Sequence, residues 1–144
     1  YSKIVKENEE ALARELESMR KKKQKLVDPI QYAFSIAADD LADYEPTFTW
    51  EMAPASDKQL EYLEKHGIYP ESVTCAGMAS LLIEKLKNRQ IEGLATPKQI
   101  RFLERYGFLH VGLWTFEAAS KMITRISNNN WYLPRGIDPK SYQP

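Results

Sequence analysis

The sequence predicts an all-α protein built around a tandem repeat. Residues 55–86 recur at residues 95–126 with a fixed offset of forty positions and no gap. Both copies place apolar residues at helical spacing and have helix-capping residues at their boundaries. With 144 residues, of which 43% are apolar, the chain is long enough to bury one core without cross-links.

The first 27 residues predict a long charged helix, because they are rich in Glu, Lys, Ala and Leu. We expect its narrow apolar stripe to pack on the rest of the protein. The stripe consists of Ile4, Leu12, Leu16, Met19 and Leu26. The basic run at residues 20–25 is interpreted as a solvated helix end. Because the chain begins at Tyr1 and not at a methionine, we expect it to continue from an upstream segment.

Two further segments lead to the repeat. An Asp-Pro pair at residues 28–29 predicts a break, followed by a second helix over residues 30–41 with acidic residues at its far end. Residues 45–54, EPTFTWEMAP, predict an extended linker with at most one short strand, anchored by Phe48 and Trp50. The acidic residues are Asp39, Asp40 and Asp43.

Each copy of the repeat predicts a helix, an extended loop and a second helix. Ser56 and Thr96 are expected to cap the first helices, at residues 57–66 and 97–106, and a glutamine three residues later completes a capping box. The predicted helix ends are Gly67 and Gly107, in the left-handed conformation.

The second helices are expected to begin at Thr74 and Thr115 and to end near Lys87 and Asn128. Their apolar residues follow i, i+3, i+4, i+7 spacing, so each helix should bury one face. These residues are Ala79, Leu82, Ile83 and Leu86 in the first copy, and Ala119, Met122, Ile123 and Ile126 in the second.

The predicted organisation therefore has four parts. They are residues 1–54 (charged helix, acidic helix and aromatic linker), unit 1 (residues 55–94), unit 2 (residues 95–134) and a tail (residues 135–144). Because each repeat of this kind buries an apolar face against its neighbour, the two units should form a pseudo-symmetric pair.

The net charge is zero, but the charge is segregated along the chain. Residues 28–54 carry six acidic residues and no base, whereas residues 95–130 carry five bases against two acids. The second copy of the repeat is the basic one. Its residues thus favour an anionic partner.

Several function classes are excluded or disfavoured by motif. No G-x-x-x-x-G-K-[ST] loop is present, so the chain is not expected to be an enzyme that hydrolyses a nucleotide. The single cysteine, Cys75, and the two histidines, His66 and His110, lack partners at ligand spacing, so no metal or other cofactor is expected. One cysteine and no membrane-length apolar run favour a cytoplasmic protein with no membrane partner.

Unit 2 and the segment after it combine cations with aromatic residues, which phosphate contact and base stacking require. The candidate nucleic-acid-binding residues are Lys98, Arg101, Arg105, Trp114, Lys121, Arg125, Trp131 and Arg135. The alternative is an ordinary solvated face with buried aromatics. A lysine in the first turn of a helix is mildly unfavourable, so its recurrence as Lys58 and Lys98 also hints at a partner.

The pattern [ST]-x-K-Q-x-x-x-L-x-x-x-G followed by an Ala-Ser-x-x-Ile helix resembles tandem units in the C-terminal regions of bacterial and phage superfamily 2 helicases of the DEAD/DEAH type. The lead-in W-E-x-x-P-A-S at residues 50–56 is similar too, and the match covers about residues 50–133. Each unit also resembles, more loosely, the SAP-type DNA-binding module. The resemblance implies a non-catalytic accessory domain that binds DNA or RNA beside an upstream helicase motor. The alternative function is a protein-interaction scaffold that docks a partner through the acidic segment or the N-terminal helix.

Overall fold

The computed structural model describes residues 2–144, apart from the side chains of residues 2 and 22–24. The fold is all-α, as predicted, and these residues form no β-sheet. In chain order the helices are α1 (Ser2–Lys25), α2 (Pro29–Ser35), α3 (Asp39–Ala42), α4 (Thr49–Met52), α5 (Asp57–Lys65), α6 (Ala76–Glu92), α7 (Pro97–Arg105) and α8 (Phe116–Asn128). Two 3-10 helices, Pro70–Ser72 and Val111–Leu113, lie in the loops of the two units.

The long N-terminal helix is confirmed, but the prediction that its stripe packs was wrong. Ile4, Leu12, Leu16 and Met19 are 41–62% exposed, and Leu26, beyond the helix end, is the buried member. The reason is that α1 reaches the core only at its C-terminal end, where Val27 exchanges backbone hydrogen bonds with the loop of unit 1. Of the basic run, Arg20 pairs with Glu17 at 2.8 Å, and the side chains at 22 and 23 lie outside the described residues.

The expected helix over residues 30–41 is divided into α2 and α3. Ala37, between them, has a left-handed backbone with φ of +55°, and this turn brings the fully buried Leu41 into the core. Asp28 caps α2 by accepting hydrogen bonds from the amides of Ile30 and Gln31. At the acidic end, the Asp40 carboxylate pairs with the Lys85 ammonium at 2.9 Å.

The linker over residues 45–54 contains the single helical turn α4 and no strand. The anchors predicted there were wrong, because Phe48 and Trp50 are 64% and 58% exposed. Instead, the Glu51 carboxylate accepts hydrogen bonds from the Tyr44 hydroxyl at 2.8 Å and the Thr47 amide at 2.9 Å. This cluster packs on Gly77 of α6, where a Cβ atom would lie 1.8 Å from the Tyr44 hydroxyl oxygen.

The repeat forms the predicted first helices, α5 and α7, each nine residues long. Both capping boxes are present: Ser56 with Gln59, and Thr96 with Gln99. Each glutamine also uses its amide nitrogen to reach the second helix of its unit. The acceptors are the hydroxyls of Ser80 at 3.1 Å and Ser120 at 2.9 Å, which are themselves repeat counterparts. This bond accounts for the identity of glutamine and serine in both copies.

The ends of the first helices are confirmed, since Gly67 and Gly107 have φ of +92° and +93°. Thr115 caps α8 by accepting from the Ala118 amide, as predicted. In unit 1 the cap position is Cys75 and not Thr74, and α6 continues to Glu92, beyond the expected end near Lys87. Cys75 is the counterpart of Thr115 at the forty-residue offset, so the two second helices begin in register.

The predicted faces of both units meet in one core, which also includes residues of α2 and α3. Ile83 and Ile123 are only half-buried. Arg89 of α6 joins the units, because its guanidinium donates to the carbonyl oxygens of Ala95 at 3.2 Å and Gly112 at 2.8 Å. The fully buried residues of the predicted second-helix faces are Ala79, Leu82, Ala119 and Ile126, and Leu63 of α5 and Leu103 of α7 are fully buried beside them.

Candidate nucleic-acid interface

The first helix of unit 2 carries three of the predicted cations at i, i+3 and i+7 positions. Lys98 and Arg105 are exposed, whereas Arg101 is half-buried. The Arg101 guanidinium donates a hydrogen bond to the carbonyl oxygen of Leu26. Burial and the neighbouring Arg105 lower the pKa of Arg101.

Arg101 therefore has a structural role, although the sequence predicted it as a nucleic-acid-binding residue. Its bond ties the chain leaving α1 to unit 2, across 75 positions of sequence. A guanidinium used in this way has fewer donors for a phosphate. Arg105, one turn further along α7, keeps an exposed side chain and remains a candidate.

The assignment of Trp114 to an exposed binding site is corrected by its burial. Only 4% of the residue is exposed, and its ring packs against Phe108 and Tyr142 with centroid distances of 5.3 and 5.5 Å. Its backbone carbonyl accepts from the Ala95 amide at 3.0 Å. The tail residue Tyr142 closes this cluster, so Trp114 is a core aromatic and has no free face for a base.

Trp131, in contrast, is 60% exposed and has a defined position. Its ring meets Phe102 edge-on at 6.2 Å, and its carbonyl accepts a hydrogen bond from the Tyr106 hydroxyl at 2.7 Å. Its amide donates to the carbonyl of Ile126 and so closes the end of α8. We call Phe102, Tyr106 and Trp131 the aromatic shelf. It presents one large exposed ring beside α7, a geometry that suits stacking of a base.

Phe102 and Tyr106 were not among the predicted site residues. A signal for them exists in the repeat, because the aromatic pair at i, i+4 in α7 matches Tyr62 and His66 in α5. Both pairs are in ring contact, at 5.1 Å in unit 2 and 4.3 Å in unit 1. Only in unit 2 does a third aromatic residue, Trp131, complete a shelf among the described residues.

The remaining predicted cations are exposed. Lys121 and Arg125 lie one turn apart on α8, outside its buried face, and Arg135 lies in the segment after the shelf. In unit 1 the counterparts of Lys121 and Arg125 are Leu81 and Lys85. The Lys85 ammonium is paired with the Asp40 carboxylate. Of the two units, unit 2 therefore carries the net positive charge, with five bases against two acids over residues 95–130.

The other chemistry-bearing residues do not assemble a second site of this kind. Cys75 is buried and free, and the described residues contain no group of three or more His, Cys, Asp or Glu that could hold a metal ion. Burial and the adjacent Lys65 lower the pKa of His66, which keeps this imidazole neutral at neutral pH. Among the described residues, no helix is long and apolar enough to cross a membrane.

Comparisons of the chain with models of known protein families, with curated protein sequences and with solved structures found no match. The candidate interface is therefore inferred from the structure itself. Exposed cations on α7 and α8 lie beside Trp131, which is exposed and is held by Phe102 and Tyr106.

Proposed function

We propose that the chain is a non-catalytic accessory domain that binds DNA or RNA in support of a DEAD/DEAH-type helicase motor. The observation that carries the proposal is the pairing of the aromatic shelf with the exposed cations of unit 2. The resemblance of residues 50–133 to helicase C-terminal units supplies the motor as the expected partner. The cations that would meet phosphates are Lys98, Arg105, Lys121, Arg125 and Arg135.

The charge accounts for affinity without sequence preference. About three to five phosphate contacts give a slope of roughly −2 to −4 for log affinity against log salt concentration. Contacts of this kind position the nucleic acid but read little base information. Trp131 adds a stacking surface, which contributes about 1–3 kcal/mol per base and favours single strands.

The proposal is tested by fluorescence anisotropy with labelled single-stranded and duplex oligonucleotides, DNA and RNA, between 50 and 200 mM salt. All strands carry 5′-hydroxyl ends. We expect binding with the stated salt slope, and we expect the double reversal Arg105→Glu with Arg125→Glu to abolish most of it. The control reverses two exposed lysines of unit 1 that lie outside both proposed sites, Lys58→Glu with Lys87→Glu, and should bind nearly as the unaltered chain does.

Trp131→Ala separates stacking from charge. Since the ring is exposed, its loss should leave the unfolding transition close to that of the unaltered chain but weaken single-strand binding by about 1–3 kcal/mol. Duplex binding should change less. Binding that is insensitive both to salt and to the Arg105 and Arg125 reversal contradicts the proposal.

The non-catalytic part of the proposal has its own measurement. The chain carries no phosphate-cradling G-x-x-x-x-G-K-[ST] loop, so the purified protein should hydrolyse ATP no faster than a buffer control, with or without nucleic acid. Turnover that copurifies with the protein through successive columns would overturn this part.

A second candidate function is a protein-interaction scaffold, and one observation favours it. Phe48, Trp50 and Met52 form an exposed apolar run, 58–64% accessible, within the acidic segment of residues 28–54. Exposed apolar residues rimmed by acids fit a basic amphipathic partner. If this is the function, Phe48→Ala with Trp50→Ala abolishes capture of the partner, and nucleic-acid binding by unit 2 is absent from the start.

A further inference from the structure

A cavity of about 680 Å³ lies between the two units. Its walls come from the C-terminal half of α6, the connection over residues 93–96, and the first turns of α7 and α8. Lys65 and His66, at the end of α5, complete the rim. This volume is within the range of about 300–1,000 Å³ that is typical of small-molecule sites.

Comparison of the two units shows that the space beside the second helix is open in unit 2 and filled in unit 1. In unit 1 the corresponding position beside the second helix is occupied, because Tyr44 and Glu51 pack on Gly77. The counterpart of Gly77 is Glu117, which lines the cavity. The counterpart of Glu51 is Ile91, which is 84% exposed and does not fill it.

The two positions are otherwise built alike. The amide at the start of the second helix donates to the carbonyl two residues before the repeat in both units, from Ala76 to Ala53 at 2.7 Å and from Phe116 to Gly93 at 2.8 Å. The same backbone frame therefore holds a carboxylate-bearing plug, Glu51, in unit 1 and an open cavity in unit 2.

The cavity is lined by groups that favour an anion. Lys65, Arg89 and Lys98 face one carboxylate, Glu117, so the formal charge of the lining is +2 with His66 neutral. The Lys98 side chain is held in place, because its stem crosses Gly67, where a Cβ atom would lie 3.0 Å from the Lys98 Cγ. Three elements, α5, α6 and α7, thus each bring one cation to one space.

The floor of the cavity contains two buried polar groups, the hydroxyl of Tyr32 and the Nε of Arg89. Tyr32 is 1% exposed and lines the cavity. Among the described residues neither group has a partner in full hydrogen-bond geometry, but burial raises the pKa of Tyr32 and the adjacent Arg89 side chain opposes that rise. Because the guanidinium can only donate, the proton of the Tyr32 hydroxyl is left for an oxygen acceptor in the cavity, reached directly or through an ordered water.

We infer that the inter-unit cavity binds a phosphate monoester of mononucleotide size. The phosphate, with a charge of about −1.5 to −2 at neutral pH, matches the charge of the lining and lies among Lys65, Arg89 and Lys98. The half-exposed ring of Phe116 at the cavity wall supplies a face for a planar group such as a base. Such a group is carried by a free mononucleotide and by the 5′-phosphorylated end of a strand.

The test is titration calorimetry together with 1H–15N NMR shift mapping, using adenosine 5′-monophosphate, adenosine and inorganic phosphate. We expect the monophosphate to bind and to shift the amides of residues 93–98 and 115–117, inorganic phosphate to bind more weakly at the same amides, and adenosine to leave them unchanged. A trinucleotide with a 5′-phosphate, compared with its 5′-hydroxyl form, identifies the source. Preference for the phosphorylated trinucleotide assigns a strand end, and equal or tighter binding of the monophosphate assigns a free nucleotide.

Substitutions at the rim of the cavity are expected to change the affinity for the monophosphate in opposite directions. Lys65→Met and Lys98→Met keep the aliphatic stems and remove one charge-assisted contact each, so each should weaken the monophosphate by about tenfold or more. Glu117→Gln removes the opposing carboxylate and should tighten it about two- to fivefold. Lys140→Met, at an exposed lysine of the tail that neither lines the cavity nor belongs to the proposed interface, is the control and should change nothing.

The inference is overturned if no phosphate-bearing probe shifts the cavity amides at millimolar concentration, or if Lys140→Met weakens binding as much as the two rim variants do. Because the binding test for the proposed function uses strands with 5′-hydroxyl ends, its outcome is independent of this one.

Discussion

Unit 1 and unit 2 have the same internal hydrogen bonds but differ in the residues that pack around them. In both, a capping glutamine bonds a serine of the second helix, through Gln59 and Ser80 or Gln99 and Ser120. Around that common frame, unit 1 is covered by the acidic segment, whose Glu51 fills the groove beside Gly77. Unit 2 has the open cavity, the aromatic shelf and the exposed cations.

This contrast separates the residues that stabilise the fold of a duplicated unit from the residues on which the proposed functions depend. Most residues that recur are capping and core residues, whose replacement would cost stability in either copy; the exposed pair Lys58 and Lys98 is an exception. Positions where unit 2 departs from unit 1, such as Glu117 for Gly77 and Arg125 for the paired Lys85, are on its surface or line its cavity. Apart from Lys98 and Arg105, whose counterparts in unit 1 are also basic, the residues of the proposed sites therefore lie where the two copies differ.

The largest expected effect separates Trp114 from its counterpart in unit 1, Thr74. Trp114→Ala should lower the free energy of unfolding by about 3–5 kcal/mol, because it empties a buried aromatic cluster. Thr74→Ala should change it by less than about 0.5 kcal/mol, since this residue is exposed. Urea denaturation of the two variants measures both values. A Trp114→Ala protein of unchanged stability that loses single-strand binding would restore Trp114 to the binding site.

A smaller effect is expected where the plug of unit 1 packs. In Gly77→Ala the new Cβ atom would lie 1.8 Å from the Tyr44 hydroxyl oxygen and 2.8 Å from the Glu51 Cβ, so both side chains must move. Overpacking of this kind costs about 1–3 kcal/mol, and the better helix propensity of alanine offsets up to about 1 kcal/mol. Urea denaturation measures the net loss.

The matched control for Gly77→Ala is Glu117→Ala at the same position of unit 2, where the cavity leaves room. It should unfold nearly as the unaltered chain does. Equal losses of unfolding free energy in the two variants would mean that the packing of Tyr44 and Glu51 on Gly77 does not set unit 1 apart from unit 2.

The third prediction concerns what the units share. Gln59→Ala and Gln99→Ala should each cost about 1–2 kcal/mol, because each removes one half of a capping box and one bond to a serine. The two losses should agree within about 0.5 kcal/mol in thermal or urea unfolding. If Gln99→Ala instead leaves stability intact and abolishes nucleic-acid binding, Gln99 is a contact residue.

Much of the frame could be predicted from the sequence because its causes are local. Capping by Ser56 and Thr96 and the left-handed glycines Gly67 and Gly107 depend on residues within a few positions of one another. Because the pattern recurs at a fixed offset of forty residues, each helix boundary could be predicted from both copies, and the two predictions agreed.

The parts that could not be predicted depend on partners distant in the chain. Trp114 is buried by Tyr142 of the tail, and Arg101 bonds the carbonyl of Leu26. Neither contact has a local signature. The prediction that Phe48 and Trp50 anchor the linker was wrong for a similar reason. They are its largest apolar residues, yet the groove beside α6 is narrow at Gly77 and accepts Tyr44 and Glu51.

The smallest expected effect is a pH dependence that only unit 1 carries. His66 stacks on Tyr62 at the position where unit 2 has Tyr106 on Phe102. Burial first, and then the nearby Lys65, lower the pKa of His66 below its usual value near 6.5. The unfolded chain consequently binds more protons at this site than the folded one as the pH falls through that value, so protonation favours unfolding and stability decreases toward acid.

His66→Tyr copies the aromatic pair of unit 2 into unit 1 and removes this titration. The melting temperature of the unaltered protein should fall between pH 7 and pH 5.5, and that of the variant should fall less over the same interval. Above about pH 7.5 the imidazole is neutral in both the folded and the unfolded chain, so the two proteins should differ there only by the packing of the new ring. Parallel pH profiles for the two proteins would show that the His66 site contributes nothing to acid sensitivity, and that the aromatic pairs of the two units are equivalent in this respect as well.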